Sequence, residues 1–323
     1  MEQSEAQEKS RTLAANIETV IKGKRRTVEL AVIALMCGGH LLIEDVPGTG
    51  KTMLARSLAC SIESSFQRIQ FTPDLLPSDV TGVSVFNQKT CEFEFQPGPI
   101  FANVVLIDEI NRTTPRTQSS LLEAMEERQV TVDGQTMRLP DPFFVIATQN
   151  PIEFYGTYPL PEGQRDRFII SAGLGYPSFE SEKMIATDQM FRHPIDTIKP
   201  VLNADEIREI QSAVKEVYLH PDLMDYAVTI VHMTRNHPAL LLGASPRGSL
   251  ALARTSQASA MMDGRDYVIP DDIKEMARWA LPHRFITRER SRTRMRESTE
   301  IMSEILEQAP VPVKETGCRD EGI

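Results

Sequence analysis

The sequence predicts an α/β protein: a P-loop core with a parallel sheet and two inserted hairpins, followed by a smaller all-α domain. Three observations support this fold class. Strand-like apolar runs alternate with helical stretches over the first half of the chain. The apolar run 41–43 leads directly into the glycine-rich segment 45–52, Asp-Val-Pro-Gly-Thr-Gly-Lys-Thr. After about residue 176 the pattern changes to helices alone.

The order of elements in the core follows from the apolar runs. Strands are predicted at 41–43, 66–71, 103–107, 143–148 and 167–172. A helix with one apolar face is predicted at 117–128. Two segments break the alternation and are predicted as hairpins: 83–95, and 129–139 with the turn dipeptide Asp133-Gly134.

Helix signals dominate the second half. Asn203 with Glu206 three residues later predicts a capping box, Ser245 followed by proline predicts the start of another helix, and Pro270 predicts a third that carries Trp279. We therefore divide the chain into four parts. They are a flexible N-terminus at 1–10, an α/β core at 11–176, a helical lid domain at 177–308 and a flexible tail at 309–323.

Composition restricts the class of protein. The chain has 323 residues, of which 41% are hydrophobic and 25% charged, with a net charge of −10; these values are typical of a globular protein. Nucleic acid is an unexpected partner, because its binding relies on neutralising phosphates. No apolar run reaches the roughly 18 residues of a membrane span. The polar first ten residues and the scattered cysteines predict a cytoplasmic protein without a secretory signal.

The segment 45–52 has the residue types of a loop that grips phosphate. Glycines let several backbone N–H groups face one phosphate, Lys51 adds a charge for the β- and γ-phosphates, and Thr52 offers a hydroxyl to Mg²⁺. The helix that follows points its positive end at the same anion. The full pattern has glycine where this chain has Asp45. The predicted nucleotide-binding residues are Gly48, Thr49, Gly50, Lys51, Thr52 and Met53.

Polar residues close two further strands, at the edge of the sheet where ligands bind in such folds. Asp108 is predicted to hold Mg²⁺ through its water shell, and Glu109 to align or deprotonate the attacking water. Asn150 follows the fourth strand, where its amide can hydrogen-bond the γ-phosphate and the water. Asn-Pro is also a common turn dipeptide, so an ordinary turn is the alternative.

Arginines supply the remaining candidates. Arg167 is predicted to reach the γ-phosphate of a neighbouring subunit, a role worth roughly 10³–10⁵ in rate in other phosphoryl-transfer systems. A surface salt bridge is the alternative, and Arg165 and Arg112 compete for the role. Arg247 opens a helix, where a cation is disfavoured unless an anion binds nearby, so a contact with the nucleotide is predicted. The arginine-rich segment 284–296 is predicted to be a solvated stretch.

These motifs, taken in order, resemble the MoxR family of AAA+ ATPases. The likeness covers about residues 11–300 and departs from the family at Gly163 and Arg165, where alanine and leucine are expected. The segments that carry it are 70–79 (Gln-Phe-Thr-Pro-Asp-Leu-Leu-Pro-Ser-Asp), 93–101 (Phe-Glu-Phe-Gln-Pro-Gly-Pro-Ile-Phe), 108–112 (Asp-Glu-Ile-Asn-Arg), 121–127 (Leu-Leu-Glu-Ala-Met-Glu-Glu), 147–151 (Ala-Thr-Gln-Asn-Pro) and 243–247 (Gly-Ala-Ser-Pro-Arg).

The resemblance implies roles for the site residues and a set of partners. ATP and Mg²⁺ are the implied cofactors. The chain is expected to form a homo-oligomeric ring, usually a hexamer, and to remodel or mature a client protein complex, often with a partner that carries a von Willebrand A domain. The implied residues are Lys51 and Thr52 (Walker A), Asp108 and Glu109 (Walker B), Asn150 (sensor 1), Arg167 (arginine finger) and Arg247 (sensor 2).

Other functions stay open on the sequence alone. A helicase-like motor also carries hairpins in these places, but the predicted turns at 87–90 and 133–135 hold one lysine and no arginine. A scaffold that binds ATP and hardly hydrolyses it would keep the same loop. A chelatase-type motor subunit shares the first hairpin.

Overall fold

The structure is a computed structural model that describes residues 1–45, 48–150, 158–191, 194–288 and 294–312. Its helices are α1 (Gln3–Glu18), α2 (Arg25–Met36), α3 (Lys51–Ser61), α4 (Pro77–Thr81), α5 (Pro115–Glu127), α6 (Glu162–Arg165), α7 (Phe179–Phe191), α8 (Ala204–Glu216), α9 (Pro221–Asn236), α10 (Pro246–Met262), α11 (Pro270–Ala280) and α12 (Arg294–Gln308). Its strands are β1 (Leu41–Glu44), β2 (Phe66–Gln70), β3 (Gly82–Asn87), β4 (Glu92–Pro97), β5 (Val104–Asp108), β6 (Gln129–Val132), β7 (Gln135–Arg138), β8 (Phe144–Gln149), β9 (Ile170–Ala172), β10 (Leu240–Leu242) and β11 (Ile286–Thr287).

A five-stranded parallel sheet forms the centre of the core, with strand order β2-β5-β8-β1-β9. This confirms the predicted sheet. The last strand, β9, begins three residues later than predicted because the chain from Glu162 to Phe168 forms the short helix α6 and a turn. Since all five strands run the same way, the loops that follow β1, β5 and β8 leave the sheet at one edge.

Alternate residues of the strands enter different hydrophobic clusters on the two sides of the sheet. Leu41 and Ile43 of β1 pack in a cluster that includes α1, α2 and α3, whereas Leu42 packs in a second cluster with α5. The first cluster continues into the helices of the second half, for example through Ile207 of α8 and Ile273 of α11. Core and helical domain therefore share apolar packing, and the predicted boundary at 176/177 stays a prediction.

Both predicted hairpins are present. β3 pairs with β4 and β6 pairs with β7, each antiparallel. Asp133 and Gly134 both have positive φ, 50° and 78°, which is the conformation that a two-residue hairpin turn requires. The β3–β4 hairpin exposes the Phe86 and Phe93 side chains, whose rings lie 5.3 Å apart.

Three helices of the helical domain, α8, α10 and α11, begin where the sequence predicts. Asn203 and Glu206 form the capping box of α8, and the Ser245 hydroxyl caps α10. One detail differs from an all-α domain: β10 and β11 form a small antiparallel pair. In the part of the chain that the structure describes, no helix combines the length and apolarity needed to cross a membrane.

Residues 1–10, which the sequence analysis predicts as a flexible N-terminus, include the first part of a packed helix. Helix α1 begins at Gln3, and Ala6 and Ser10 are fully buried. The helix packs against α2, α3, α8 and α10. The polar composition of the first ten residues hid a buried stripe that Ala6, Ser10, Leu13 and Ile17 form at helical spacing. Most of the predicted tail at 309–323 lies outside the described residues, but Ala309 is buried.

Candidate functional site

The glycine-rich loop leaves open space in front of the N-terminus of α3. Gly48 and Gly50 have φ of 82° and 94°, and a Cβ added at either would meet no described atom within 4 Å. Lys51 begins α3, and its Nζ donates to the Asp45 carbonyl oxygen at 3.1 Å. Val46 and Pro47 lie outside the described residues. The loop therefore offers both the uncrowded backbone and the helix terminus that a phosphate requires.

Asp45, the departure from the usual pattern, has a structural role in this chain. Its Oδ2 accepts hydrogen bonds from the backbone N–H groups of Leu174 (2.9 Å) and Gly175 (2.7 Å). Only 8% of Asp45 is exposed. The carboxylate thus links the first residue of the phosphate loop to the segment that follows β9.

The strand register brings the predicted acids to the same edge as the loop. Ile107 of β5 is paired with Ala147 of β8, and Ala147 is paired with Leu42 of β1. One residue further along, the Thr148 hydroxyl lies 3.3 Å from Asp108 Oδ1 and accepts from the Glu109 N–H at 3.0 Å. Asn150 follows β8 and is 6% exposed. The structure therefore brings Asp108, Glu109 and Asn150 together with the loop.

Both acids are held by side chains that the sequence analysis missed. Arg68 Nε donates to Asp108 Oδ2 at 2.6 Å, and Gln70 Nε2 donates to Glu109 Oε2 at 2.8 Å. Arg112 Nε lies 3.2 Å from the same Glu109 oxygen. Arg112, the other candidate for the arginine finger, therefore pairs with an acid of its own chain. The signal in the sequence that could have found Arg68 and Gln70 is their spacing. They are two residues apart on β2, so both side chains lie on the same face of the strand.

A cavity of about 460 Å³ adjoins the glycine-rich loop, and we call it the P-loop pocket. Its volume is in the range of small-ligand sites. The wall combines loop residues and Met53 with residues from two segments that the sequence analysis did not single out, the α1–α2 connection and the chain after β9. These added residues include Val20, Ile21, Lys22, Lys24, Leu174, Tyr176 and Pro177. The Lys24 ammonium donates to the Tyr176 carbonyl at 2.7 Å and joins the two segments.

The donor set fits Mg²⁺ bound with a nucleotide. Mg²⁺ usually takes one or two protein oxygens together with phosphates and water. The Thr52 hydroxyl, in the first turn of α3, and the Asp108 carboxylate, at the end of β5, are oxygens of that kind. Within the described ranges, no group of three or more His, Cys, Asp or Glu side chains could hold a metal without a nucleotide.

Arg167 and Arg247 lie together in a second cavity, of about 330 Å³, which we call the arginine cavity. Both guanidinium groups pair with Glu126 near the end of α5: Arg167 Nη1 lies 3.1 Å from Oε2, and Arg247 Nη2 donates to Oε1. Arg167 also donates to the Leu122 carbonyl. Two residues predicted from separate motifs thus share one acidic partner.

The arginine cavity lies at the opposite edge of the sheet from the glycine-rich loop. Its wall includes Gly39 and His40, which precede β1, whereas the loop follows β1. The Ile169 N–H, just before β9, donates to the His40 carbonyl at 2.9 Å. A strand of this length separates the two edges by roughly 13 Å. The structure therefore places Arg247 beside Arg167 and away from the P-loop pocket of the same chain, and its predicted contact with a nucleotide stays a prediction.

Arg165 is buried and paired within its own chain. Its side chain is 7% exposed, and its Nη2 lies 2.7 Å from Oε1 of Glu44, whose side chain is 8% exposed. Glu44 is the last residue of β1. Arg167, two residues later, is 27% exposed, so it is the better placed of the two arginines for a contact outside the chain.

Four features together define an ATPase of the AAA class. They are the strand order of the parallel sheet, the phosphate loop after β1, the acids at the end of β5 and the helical domain that follows the core. The model described as "ATPase family associated with various cellular activities (AAA)" matches residues 40–170, and the "AAA lid domain" model matches residues 232–305.

Similar proteins narrow the class to a family. "Chaperone MoxR1" of Mycobacterium tuberculosis is 40% identical over 279 residues, which are 84% of this chain and 74% of that protein. "Uncharacterized protein YeaC" of Bacillus subtilis is 53% identical over 94% of this chain and 95% of its own length. A crystal structure from Cytophaga hutchinsonii, provisionally described as an ATPase, superposes with a TM-score of 0.86 at 36% identity and covers 96% of this chain and 97% of its own. The chain belongs to the MoxR family of AAA+ ATPases.

Proposed function

We propose that the protein hydrolyses ATP at a site shared by two subunits of a ring, with Arg167 and Arg247 both donated to the neighbour. The observation that carries this proposal is the separation of the P-loop pocket from the arginine cavity across the length of β1. An arginine side chain is too short to cross it. Two copies arranged head to tail would bring one subunit's arginine cavity to the other's P-loop pocket.

The charge of the arginine cavity supports a polyanionic ligand. Four arginines line it against two acids, and burial lowers the pKa of His40 to about 4, so that this ring is neutral at pH 7. The four arginines and two acids are Arg167, Arg247, Arg254, Arg284, Glu126 and Asp166. A triphosphate presented by a neighbour would compete with Glu126 for the first two arginines.

The chemistry proposed for the P-loop pocket follows from the positions of its groups. Lys51 and the backbone N–H groups at the start of α3 neutralise the phosphates. Mg²⁺, held by Thr52 and Asp108, would neutralise further charge on the phosphate oxygens. Glu109 orients or deprotonates the attacking water once it leaves Gln70 and Arg112, and Asn150 hydrogen-bonds the water and the γ-phosphate. ATP and Mg²⁺ are thus the proposed cofactors.

A mixing experiment tests the shared site. Arg167→Ala should bind ATP normally and lose about 10³-fold in turnover. Glu109→Gln should bind ATP without hydrolysing it and still carry both arginines. In an equal mixture, a Glu109→Gln subunit can donate its arginines to the intact P-loop pocket of an Arg167→Ala subunit.

If mixing is random, about one quarter of the interfaces are then complete, and about one quarter of wild-type turnover should return. Mixed rings without activity, or Arg167→Ala with normal turnover, would overturn the proposal. Failure of Arg247→Ala to lower turnover would limit the donated set to Arg167.

The wider function proposed for the protein is chaperone-like remodelling or maturation of a client complex by a hexameric ring in the cytoplasm. The relative named "Chaperone MoxR1" supports this class of activity. The β3–β4 hairpin offers a contact surface for an unfolded client, since Phe86 and Phe93 are 49% and 74% exposed. A partner with a von Willebrand A domain, implied by the family resemblance, remains part of the proposal. Co-purification with a Glu109→Gln variant in ATP would identify both.

A further inference from the structure

We propose that Asp166 and Arg284 are positioning residues that hold Arg167 and Arg247 as one unit, so that both reach the neighbour's phosphates together. This inference rests on the shared site proposed above. It assigns roles to a residue of the Asp166-Arg167-Phe168 turn and to the first residue of the arginine-rich segment 284–296, which the reaction as described so far does not use.

Asp166 connects the segments that carry the two donated arginines. Its Oδ2 accepts from the Ser245 hydroxyl at 2.7 Å, and Ser245 is the residue that caps α10 just before Arg247. Asp166 itself directly precedes Arg167 in the chain. The carboxylate therefore ties the start of a lid helix to the turn that bears the finger.

Arg284, from the helical domain, contacts the same turn on both sides of Arg167. Its guanidinium donates to the Asp166 carboxylate, to the Asp166 carbonyl at 2.6 Å and to the Phe168 carbonyl at 2.8 Å. The bonds to the two carbonyls bracket Arg167 in the chain. His283 adds a contact to the Phe168 carbonyl at 2.9 Å.

The burial of Arg284 indicates a specific role. Only 5% of the residue is exposed, so the prediction of a solvated stretch is wrong for this position. Burying a guanidinium is costly unless its partners are well placed, and here carboxylate and carbonyl oxygens accept hydrogen bonds from it. The turn that bears Arg167 is consequently fixed to the helical domain, and Glu126 sets the spacing of the two donated guanidinium groups from the other side.

Precise placement of the donated arginines matters for the rate. A misplacement of about 1 Å can cost roughly 10²-fold in catalysis. Asp166→Asn keeps an oxygen that can accept from Ser245 but removes the negative charge opposite Arg284. We expect kcat to fall by roughly 10²-fold while KM for ATP stays unchanged, because the variant's own P-loop pocket is intact. Arg284→Lys, which cannot make the forked contact, should behave in the same way and serves if Asp166→Asn folds poorly.

Mixing with Glu109→Gln distinguishes a donation defect from a damaged subunit. The Glu109→Gln subunit supplies correctly placed arginines to the P-loop pocket of an Asp166→Asn subunit. Activity should therefore return on mixing to the level that Arg167→Ala reaches in the same assay. A subunit that is merely misfolded would not be rescued.

Asp272→Asn is the matched control. Asp272 is a buried carboxylate, 4% exposed, that accepts two bonds from Arg265 at 2.6 and 2.7 Å within the helical domain. The same chemical change there should lower the unfolding temperature without lowering kcat by more than about two-fold, since no donated arginine depends on it.

The outcomes separate this inference from the proposed function. Wild-type kcat in Asp166→Asn and Arg284→Lys overturns the inference. So does a loss that mixing fails to rescue while Arg167→Ala is rescued, or an equal loss of kcat in Asp272→Asn. If Arg167→Ala itself is not rescued by Glu109→Gln, the shared site is wrong, and the positioning role is wrong with it.

Discussion

Replacing Asp45 with glycine gives the chain the regular phosphate-loop pattern, and we expect the replacement to weaken the protein. In this structure the Asp45 carboxylate accepts from the N–H groups of Leu174 and Gly175. Both bonds end on the same oxygen, Oδ2, so glycine removes the acceptor of both at once. The loop would match the general motif better while losing its connection to the chain that follows β9.

The size of the effect follows from the surroundings of each donor. Leu174 is 4% exposed, so its N–H would remain buried without an acceptor, at a cost of about 1.5–3 kcal/mol. Gly175 is exposed, so its N–H can bond water and the loss is about 0.5–1 kcal/mol. Asp45→Gly should therefore lower the free energy of unfolding by about 3 kcal/mol, a large part of the usual 5–15 kcal/mol.

Binding should weaken as well, because Leu174 lines the P-loop pocket beside Tyr176. We expect the Kd for ATP to rise by about ten-fold, or 1.4 kcal/mol. Urea unfolding and isothermal titration with ATP measure the two effects. Asp45→Asn is the control: it keeps one oxygen acceptor and should lose only about 1 kcal/mol. A glycine variant as stable and as tight in binding as the wild type would refute the role given to this carboxylate.

Four further changes test other parts of the molecule. Arg165→Leu should lower the free energy of unfolding by about 3–5 kcal/mol, measured in urea, because it leaves a buried acid unpaired; normal stability would contradict this. Glu109→Gln should abolish phosphate release with ATP affinity unchanged, and equal release would remove the catalytic role. In the unfolded chain His40 takes up a proton near pH 6.5, whereas burial in the folded protein lowers its pKa to about 4. The free energy of unfolding should therefore fall by up to about 3 kcal/mol as the pH drops from 6.5 to 4. His40→Gln should flatten this part of the profile of urea unfolding against pH. Changing Phe86 and Phe93 to serine should weaken suppression of aggregation of an unfolded model protein, whereas equal suppression would exclude the hairpin as a client surface.

Local patterns were sufficient to predict the core of the fold. The apolar run before the glycine-rich loop, the acids that end β5 and the Asp133-Gly134 turn each determine their structure through neighbours in the chain. Because the strands are parallel, their carboxyl ends had to meet at one edge, and this brought Asp108, Glu109 and Asn150 to the loop.

What the sequence could not predict depends on packing between distant segments. Arg165 and Arg167 are the same residue type two positions apart, and only the turn after α6 decides that one is buried against Glu44 and the other faces the arginine cavity. The wall of the P-loop pocket draws on the α1–α2 connection, which carries no phosphate-binding motif. The edge of the sheet at which Arg247 lies is likewise decided by how the helical domain packs against the core.

If the proposed site is shared between subunits, the separation of the two cavities determines how copies of the chain would associate. A head-to-tail contact is heterologous: it joins different patches, so a dimer completes one composite site and leaves one patch of each kind unused. An open row of subunits always has two such idle ends, and only closure into a circle removes them. Activity per subunit should therefore rise with the length of an open row and reach its limit only when the last copy meets the first.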